Sequence, residues 1–401
     1  MTRILLLENP HPVADEVLAS HGYEVVRHAG ALDEEELIEA LDGIDVVGIR
    51  SKTHITERVL AARPGLLAIG AFCIGTNQIA LSAAAHQGIA VFNAPYSNTR
   101  SVVELALAEI ICLTRRLTPK NDALHAGVWD KSADGAHEVR GRTLGIVGYG
   151  NIGSQLSVLA EAIGMQVIYY DIVEKLALGN AKAMPSLAAL LEQADIVSVH
   201  ISGSAGTQAV FSDAEFARMR PGSLFINLSR GHLVDYDALH RALDSRHLAG
   251  AAADVYPLEP KANGDEFDFP LRGYDNVILT PHIGGSTEEA QHNIGRFVAN
   301  KLCDFLQAAS TDMAVNLPQL TLPPSPTSRY RVAFVHRNTP GVLALVNQTF
   351  AEAGANIDGQ ILGTRGDIGY VCTDIASELP VEAIAAISEM EPTIRLRVLG
   401  L

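Results

Sequence analysis

The stretch TLGIVGYGNIG, residues 143–153, decides the fold of the central part of the chain. An apolar run leads into Gly148, Gly150 and Gly153, and the residues that follow have a helical pattern. A GxGxxG turn between a strand and a helix is typical of the binding site for a dinucleotide pyrophosphate. The first glycine permits the tight turn, the second lets backbone amides approach the phosphates, and the third lets the helix pack against the strand.

The next predicted strand, QVIYYD, ends in an acid that bears on the choice of dinucleotide. Asp171 follows the glycine turn by about 20 residues, the spacing at which a carboxylate accepts hydrogen bonds from the adenosine ribose. The same charge repels a 2′-phosphate, and no arginine is found among the next four residues, Ile172–Lys175. We therefore expect the cofactor to be NAD rather than NADP.

Short apolar runs alternate with helical patterns on both sides of residue 143. Apolar strands separated by helices indicate parallel sheets with both faces covered. Two such series predict two doubly wound α/β domains of the Rossmann or flavodoxin type. The predicted strands cover residues 2–8, 23–29, 45–51, 66–72 and 89–94 in the first series, and 143–150, 166–171, 195–201, 223–229, 249–256 and 276–284 in the second.

The remaining segments predict how the domains are connected. One helix is expected over residues 97–117 and another over 286–308, and the proline-rich stretch LPQLTLPPSPTS predicts an extended linker. The last 70 or so residues follow a βαββαβ order, which is that of a ferredoxin-like domain. We expect one domain over 1–97 and 288–318, an NAD-binding domain over 98–287, a linker over 319–328 and a last domain over 329–401; the family resemblance given below implies that the first is the substrate-binding domain and the last a regulatory domain.

Composition and charge exclude several classes of function. The formal net charge of −16 disfavours nucleic acids and anionic membranes as partners. The four cysteines lie far apart without a CxxC pair, so we expect neither a disulfide framework nor a metal site. The start of the chain lacks the pattern of a signal peptide, and charges interrupt the apolar runs, so we expect a cytoplasmic protein.

Three side chains with different chemistry follow three consecutive predicted strands. Arg230, Glu259 and His282 should meet at the sheet edge that carries the glycine turn. Reduction of a 2-keto acid needs such a set, since a guanidinium grips the substrate carboxylate and an imidazolium donates a proton. A carboxylate beside the imidazole raises its pKa and orients it. Asp254 is expected to face the nicotinamide amide.

The runs GYGNIG, INLSRG, AADVYPLEP and TPHIGGSTEEAQ resemble those of the NAD-dependent D-2-hydroxyacid dehydrogenases, and the resemblance spans residues 1–318. It implies that Arg230 binds the substrate carboxylate, that His282 is the proton donor and that Glu259 is its partner. It also implies cofactor contacts, beyond the glycine turn itself, at Asn151, Ile152, Asp171, Leu228, Ser229, Arg230, Asp254, His282, Ile283, Gly284 and Gly285.

The stretches IRSKTHIT, FCIGTNQI and SNTRSV, together with an ACT-like C-terminal domain, extend the resemblance to the members that use a phosphorylated acid. The substrate implied is 3-phospho-D-glycerate, oxidised to 3-phosphohydroxypyruvate in the first step of L-serine synthesis, with a side reduction of 2-oxoglutarate. Cations and hydroxyls suit phosphate oxygens, and a helix N-terminus favours anions. The expected substrate-binding residues are Arg50, Ser51, Lys52, Gly75, Thr76, Asn77, Asn98 and Arg100.

The ACT-like domain implies regulation. In serine-sensitive members of the family the effector meets positions that correspond to His336, Asn338 and Asn356 here. The resemblance thus implies L-serine as an effector and a homotetramer or another homo-oligomer. The alternative is a domain used only for assembly, which the stiff proline-rich linker favours.

Two other functions stay open. The first is another D-2-hydroxyacid dehydrogenase, acting on D-lactate, glyoxylate or 2-hydroxyglutarate; Arg50, Lys52 and the C-terminal domain argue against it. The second is an NADH-sensing corepressor-like binding module, against which the C-terminal domain and the acidic charge count. Measurable turnover separates the second from an enzyme.

Overall fold

The computed structural model describes residues 1–203, 209–260 and 264–401. By their internal contacts, residues 1–97 and 291–401 form one compact unit and residues 98–290 form another.

The first unit opens with a parallel sheet in the order β2-β1-β3-β4-β5. Alternate residues of its strands enter two different hydrophobic clusters, so helices cover both faces. The strands are β1 (Arg3–Leu7), β2 (Glu24–His28), β3 (Val46–Ile49), β4 (Ala68–Ala71) and β5 (Ala90–Phe92). The helices are α1 (Val13–Ser20), α2 (Glu34–Ala40), α3 (Glu57–Ala62) and α4 (Leu81–His86).

The second unit is built on a second parallel sheet, in which the described strands have the order β12-β11-β10-β9-β6-β7-β8. Its strands are β6 (Thr143–Val147), β7 (Gln166–Tyr170), β8 (Lys182–Ala183), β9 (Ile196–Val199), β10 (Ser223–Asn227), β11 (Leu248–Ala253) and β12 (Val277–Leu279). Its helices are α5 (Thr99–Arg115), α6 (Leu117–His125), α7 (Asn151–Ala162), α8 (Leu187–Leu191), α9 (Asp213–Arg218) and α10 (Tyr236–Asp244). The chain order reverses between β6 and β9, and ligands of such sheets bind at this reversal.

The long helix α11 (Glu288–Ala308) begins in the second unit and continues in the first. After it, the C-terminal residues form an antiparallel sheet in the order β14-β15-β13-β16. The elements are β13 (Tyr330–Arg337), α12 (Val342–Glu352), β14 (Ile357–Arg365), β15 (Ile368–Ile375), α13 (Val381–Ser388) and β16 (Thr393–Gly400). This is the predicted βαββαβ order, and with the two parallel sheets it confirms the predicted fold class.

Three arginines of the C-terminal sheet bond to backbone carbonyls elsewhere in the first unit. Arg331 donates to Ala308 O and Leu322 O, each at 2.6 Å, and pairs with Asp374 through both carboxylate oxygens. Arg397 donates to Phe305 O and Leu306 O, and Arg395 donates to Leu66 O and Pro64 O. The carbonyls at residues 305, 306 and 308 lie at the C-terminal end of α11, where positive charge is favourable.

The sequence did not predict the short elements α6 and β8. In the described parts of the chain, no helix is both long and apolar enough to cross a membrane. The described residues also contain no group of three or more His, Cys, Asp or Glu side chains that could hold a metal ion.

Candidate active site

The glycine turn follows β6 at the point where the strand order reverses. Gly148 has φ +93°, and a Cβ there would lie 2.5 Å from the carbonyl oxygen of His200. A Cβ on Gly153 would lie 2.2 Å from the carbonyl oxygen of Gly148. Both positions therefore require glycine, the first for the turn and the second for close packing of α7.

Gly150 differs from the other two, because a Cβ at this position would have no protein atom within 4 Å. Gly150 is the N-cap residue of α7 and has no side chain to cap the first amides, so these N–H groups are left for an anion. Asn151 is exposed and Ile152 half-buried. The open space above the turn and its amide donors fit a dinucleotide pyrophosphate.

Asp171 lies at the end of β7, beside the turn. Its Oδ2 accepts a hydrogen bond from Tyr149 N at 2.8 Å and its Oδ1 accepts one from Val173 N at 2.9 Å. The carboxylate is half-buried and each oxygen retains a lone pair. It therefore both fixes the turn and can accept hydrogen bonds from a ribose.

His282 and Glu259 form a hydrogen-bonded pair. Nδ1 of His282 lies 2.8 Å from Oε2 and 3.0 Å from Oε1 of Glu259. The hydrogen bond to Glu259 raises the pKa of His282, against the opposing effect of burial. Burial alone would raise the pKa of Glu259, but the hydrogen bond and charge of His282, with smaller contributions from Tyr256 N and Arg230, hold it below its usual value.

Arg230 lies at the end of β10, near this pair. Its positive charge lowers the pKa of both Glu259 and His282. Its Nη1 donates to its own neighbour Ser229 O at 2.7 Å, and the Asn227 amide donates to Arg230 O at 3.1 Å. The structure thus places a guanidinium, a carboxylate and an imidazole at the edge of the sheet that carries the glycine turn.

Asp254 organises the segment Thr280–Gly284, which carries His282. Its Oδ1 accepts from Thr280 Oγ1 at 2.7 Å and from Ile283 N at 2.8 Å, and its Oδ2 accepts from Gly284 N at 2.8 Å. His282 has φ +54°, a conformation that costs a residue with a Cβ about 1–3 kcal/mol. Three hydrogen bonds to a buried carboxylate hold the segment in that conformation.

The other expected cofactor and substrate residues of the second unit lie after β10 and at the start of α5. Leu228 and Ser229 are buried at the end of β10, and Ser229 Oγ donates to Val199 O at 2.5 Å. A Cβ on Gly285 would lie 2.7 Å from Nδ2 of Asn98, so that side chain is in contact with the segment after His282. Arg100 is exposed and pairs with Glu104 one helical turn away, at 2.6 Å.

In the first unit, the loop Arg50–Thr53 is held by a carboxylate. Glu8 accepts hydrogen bonds from the backbone amides of Arg50, Lys52 and Thr53 at 3.2, 3.0 and 2.8 Å. The guanidinium of Arg50 donates to Gln291 Oε1 at 3.0 Å. Ser51 and Lys52 are exposed, as is Asn77, whereas Gly75 and Thr76 are half-buried.

The three expected effector residues do not come together within one chain. His336 is opposite Gly369 near one end of the C-terminal sheet, and Asn338 Nδ2 donates to Gly366 O close by. Asn356 precedes Ile357, which pairs with Ile375 at the other end, opposite Tyr330. Six residues of β13 separate the two ends, roughly 20 Å at the rise of a strand.

Sequence reasoning missed Glu8 and Gln78, which support the Arg50 loop. Gln78 Nε2 donates to Arg50 O at 2.6 Å. Glu8 has φ +63° and follows β1 directly. An acid at the carboxyl end of a parallel strand, next to the Asn-Pro pair that ends it, was the signal available for Glu8.

Two family models match parts of the chain. Residues 107–284 match the model of the D-isomer specific 2-hydroxyacid dehydrogenase NAD binding domain, and residues 332–395 match the AHAS small subunit-like ACT domain. The second unit is therefore an NAD-binding domain, and the C-terminal domain is an ACT domain.

Full-length relatives are found among curated proteins. The chain is 49% identical over 400 residues to the D-3-phosphoglycerate dehydrogenase of Escherichia coli (strain K12), covering 99% of this chain and 97% of that one. It is 45% identical over 397 residues to that of Dictyostelium discoideum, with the same two coverages. Among solved structures, the D-lactate dehydrogenase of Aquifex aeolicus, complexed with NAD and lactic acid, has a TM-score of 0.65 at 26% identity, over 76% of this chain and 95% of that one.

Proposed function

Because the chain belongs to the D-isomer specific 2-hydroxyacid dehydrogenases, we propose that it oxidises 3-phospho-D-glycerate to 3-phosphohydroxypyruvate with NAD, the first step of L-serine synthesis. The observation that carries this proposal is the His282–Glu259 pair beside Arg230, on the sheet edge that bears the glycine turn.

The proton of the substrate hydroxyl goes to His282. Since Nδ1 of the ring is bonded to Glu259, Nε2 is the nitrogen that accepts this proton. The imidazolium that forms is stabilised by the Glu259 carboxylate, which also fixes the orientation of the ring. NAD bound at the Gly148–Gly153 turn supplies the acceptor for the hydride on C2. In the reverse direction, His282 returns its proton to the carbonyl oxygen.

Arg230 binds the substrate carboxylate. A guanidinium offers two parallel N–H donors, which suit both oxygens of a carboxylate and fix the orientation of the acid. Asp254 and the amides of Ile283 and Gly284 hold the segment with His282 in place. Gly150, Asn151, Ile152 and Asp171 contact the pyrophosphate and the adenosine ribose.

The substrate phosphate is assigned to the loop that contains Arg50, Ser51 and Lys52. Two cations and a hydroxyl neutralise and bond a phosphate, and they do so on a chain whose net charge of −16 otherwise repels it. Glu8 supports the loop through backbone amides and not through the cationic side chains, and the Arg50 guanidinium has further N–H donors beside the one it gives to Gln291. Gly75, Thr76 and Asn77 are assigned to the carboxylate end of the substrate. Asn98 and Arg100, at the start of α5, are assigned to further contacts with the anionic substrate.

The ACT domain is proposed to bind L-serine between two chains. His336 and Asn338 lie at one end of the sheet and Asn356 at the other, so a serine that contacts all three needs Asn356 of a second copy. This favours a homo-oligomer, with a homotetramer as one arrangement. A serine bound in this way changes activity by stabilising one of two arrangements of the domains.

A substrate panel tests the function. NADH oxidation is measured with 3-phosphohydroxypyruvate, hydroxypyruvate, pyruvate and 2-oxoglutarate, each with and without millimolar L-serine. We expect the highest kcat/KM with 3-phosphohydroxypyruvate, weaker reduction of 2-oxoglutarate and inhibition by serine. A preference for pyruvate would contradict the assigned substrate, and turnover that serine leaves unchanged would remove the effector from the proposal.

A further inference from the structure

Glu109 is a buried acid on α5 to which the reaction above gives no role. Its side chain is 2% exposed, and neither carboxyl oxygen has a hydrogen-bond partner among the described residues. Its neighbours on the helix, Ala106, Ile110 and Leu113, belong to the hydrophobic core. A carboxylate in this position would lose its hydration without gaining a partner, so the neutral acid is the favoured form.

The charge that faces Glu109 is that of Asp254. Helix α5 packs against β10, β11 and β12, and Asp254 directly follows β11. Burial, and after it the negative charge of Asp254, raise the pKa of Glu109 to about 8. Glu109 in turn contributes to the raised pKa values of Cys112 and Tyr256, in both of which burial is the larger cause. No cation among the described residues offsets these effects at Glu109.

Asp254 has a defined task in the same place. It is 1% exposed and holds Thr280, Ile283 and Gly284 with its two oxygens. Helix α5 also reaches this segment directly, since a Cβ on Gly284 would lie 3.3 Å from Val102 Cγ2. A second buried negative charge beside Asp254 would repel it at low dielectric. This repulsion would displace the Asp254 carboxylate and weaken the hydrogen bonds that it accepts from the segment.

We propose that Glu109 is a positioning residue that carries a proton beside Asp254, and so leaves Asp254 as the single buried negative charge that organises the Thr280–Gly284 segment. Loss of that proton weakens the hold on Thr280, Ile283 and Gly284, and with it the position of His282 between them. The proposal rests on the proposed function only in that this segment receives the nicotinamide end of NADH.

Infrared spectroscopy without cofactor tests the proton itself. The wild-type protein is expected to show the C=O stretching band of a protonated carboxylic acid at pH 7, a band that disappears as the pH passes about 8. Glu109→Gln should lack the band, whereas Glu138→Gln, at an exposed carboxylate of the same unit, should retain it. Identical spectra for wild type and Glu109→Gln would overturn the proposal whether or not 3-phosphoglycerate is the substrate.

NADH affinity tests the positioning role. We expect the wild-type Kd to rise above about pH 8, by up to about tenfold per pH unit, because binding is then linked to the uptake of one proton. In Glu109→Gln this rise should be absent. The same rise in that variant would show that another group controls the segment.

Glu109→Met is a second variant, which keeps the test possible if Glu109→Gln does not fold. Glu109→Met replaces a group without a partner by an apolar side chain, which a buried site tolerates. An acid whose pKa is raised by folding loses stability as pH rises from its unfolded pKa to its folded pKa. The thermal midpoints of both variants should therefore exceed that of the wild type by more at pH 8 than at pH 5. A difference that does not change with pH would contradict the raised pKa.

Discussion

Oε2 of Glu259 lies 2.8 Å from Nδ1 of His282, which commits one ring nitrogen to a carboxylate and leaves the other for a substrate. The hydrogen bond to Glu259 raises the pKa of His282. Oxidation needs the neutral ring to accept a proton, so its rate rises with pH through this pKa. Reduction needs the imidazolium, so its rate falls over the same range.

Replacing Glu259 with Gln should shift the pH dependence of both oxidation and reduction toward lower pH. The amide oxygen still accepts a hydrogen bond from Nδ1, but the negative charge that stabilises the imidazolium is lost, and the pKa of His282 falls. The measurement is kcat/KM against pH in both directions. Asp268→Asn, at a 98% exposed carboxylate, is the control and should leave both pH profiles in place. If the two pH profiles of Glu259→Gln match those of the wild type, a group other than His282 controls them.

Replacing His282 with Asn should lower kcat by roughly 10²- to 10⁴-fold, the contribution of a general acid or base. NADH affinity should change little. Asn is suitable because it tolerates the left-handed backbone that His282 adopts at φ +54°. His240→Asn, at a half-buried position in the middle of α10, is the control. Near-normal turnover in His282→Asn would contradict the proton-transfer role.

Replacing Arg50 with Ala should raise KM for 3-phosphohydroxypyruvate far more than for hydroxypyruvate, which lacks the phosphate. Loss of a charge-assisted hydrogen bond weakens binding by about 1.5–3 kcal/mol, roughly 10- to 100-fold. Arg58→Ala removes an exposed arginine of the same unit, paired with Glu34 and Glu35, and serves as the control. Equal losses on both substrates would remove Arg50 from the phosphate site.

The sequence predicted those features that a short pattern at the end of one strand encodes. Gly148, Gly150 and Gly153 follow a strand and open a helix, so their spacing predicted both the turn and the parallel sheet that contains it. The βαββαβ order of the C-terminal domain was also predicted, because apolar residues recur at a different spacing in helices and in strands. Contacts between distant segments were not predicted. The carboxylate of Glu8 supports amides 42 to 45 residues away, and no local pattern encodes that contact.

Glu109 shows a signal that the sequence contained and we did not use. Glu104 and Glu109 on α5 counted equally as charges that interrupt an apolar run, yet Glu104 is exposed and Glu109 is buried. The spacing of residues along the helix places the two acids on different faces. Glu109 lies seven residues after Val102 and three after Ala106, which puts it on the buried face. A charge on the apolar stripe of a helix is the unusual residue, and it was predictable from spacing alone.

Replacing Asp171 with Ala should reduce the preference for NAD over NADP. The carboxylate is the group that repels a 2′-phosphate, and its loss also removes acceptors for the ribose hydroxyls. We expect kcat/KM for NAD to fall roughly 10- to 100-fold, with a smaller change for NADP. Glu174→Gln, at an exposed acid three residues on, is the control. An unchanged ratio of the two kcat/KM values would place the source of the preference elsewhere.

Arg331 and Asp374 form an ion pair in which both side chains are only 1% exposed, and the guanidinium also bonds to the last residue of α11. Replacing Arg331 with Leu leaves a buried carboxylate without its partner, a change that costs roughly 3–5 kcal/mol. We expect a large drop in the thermal midpoint. The double variant Arg331→Leu, Asp374→Leu should recover much of that loss, because an apolar pair needs no compensation for buried charge. Arg329→Leu, at an exposed position two residues earlier, is the control and should change the midpoint little. A single variant as stable as the wild type would show that the pair does not stabilise the contact of the ACT domain with α11.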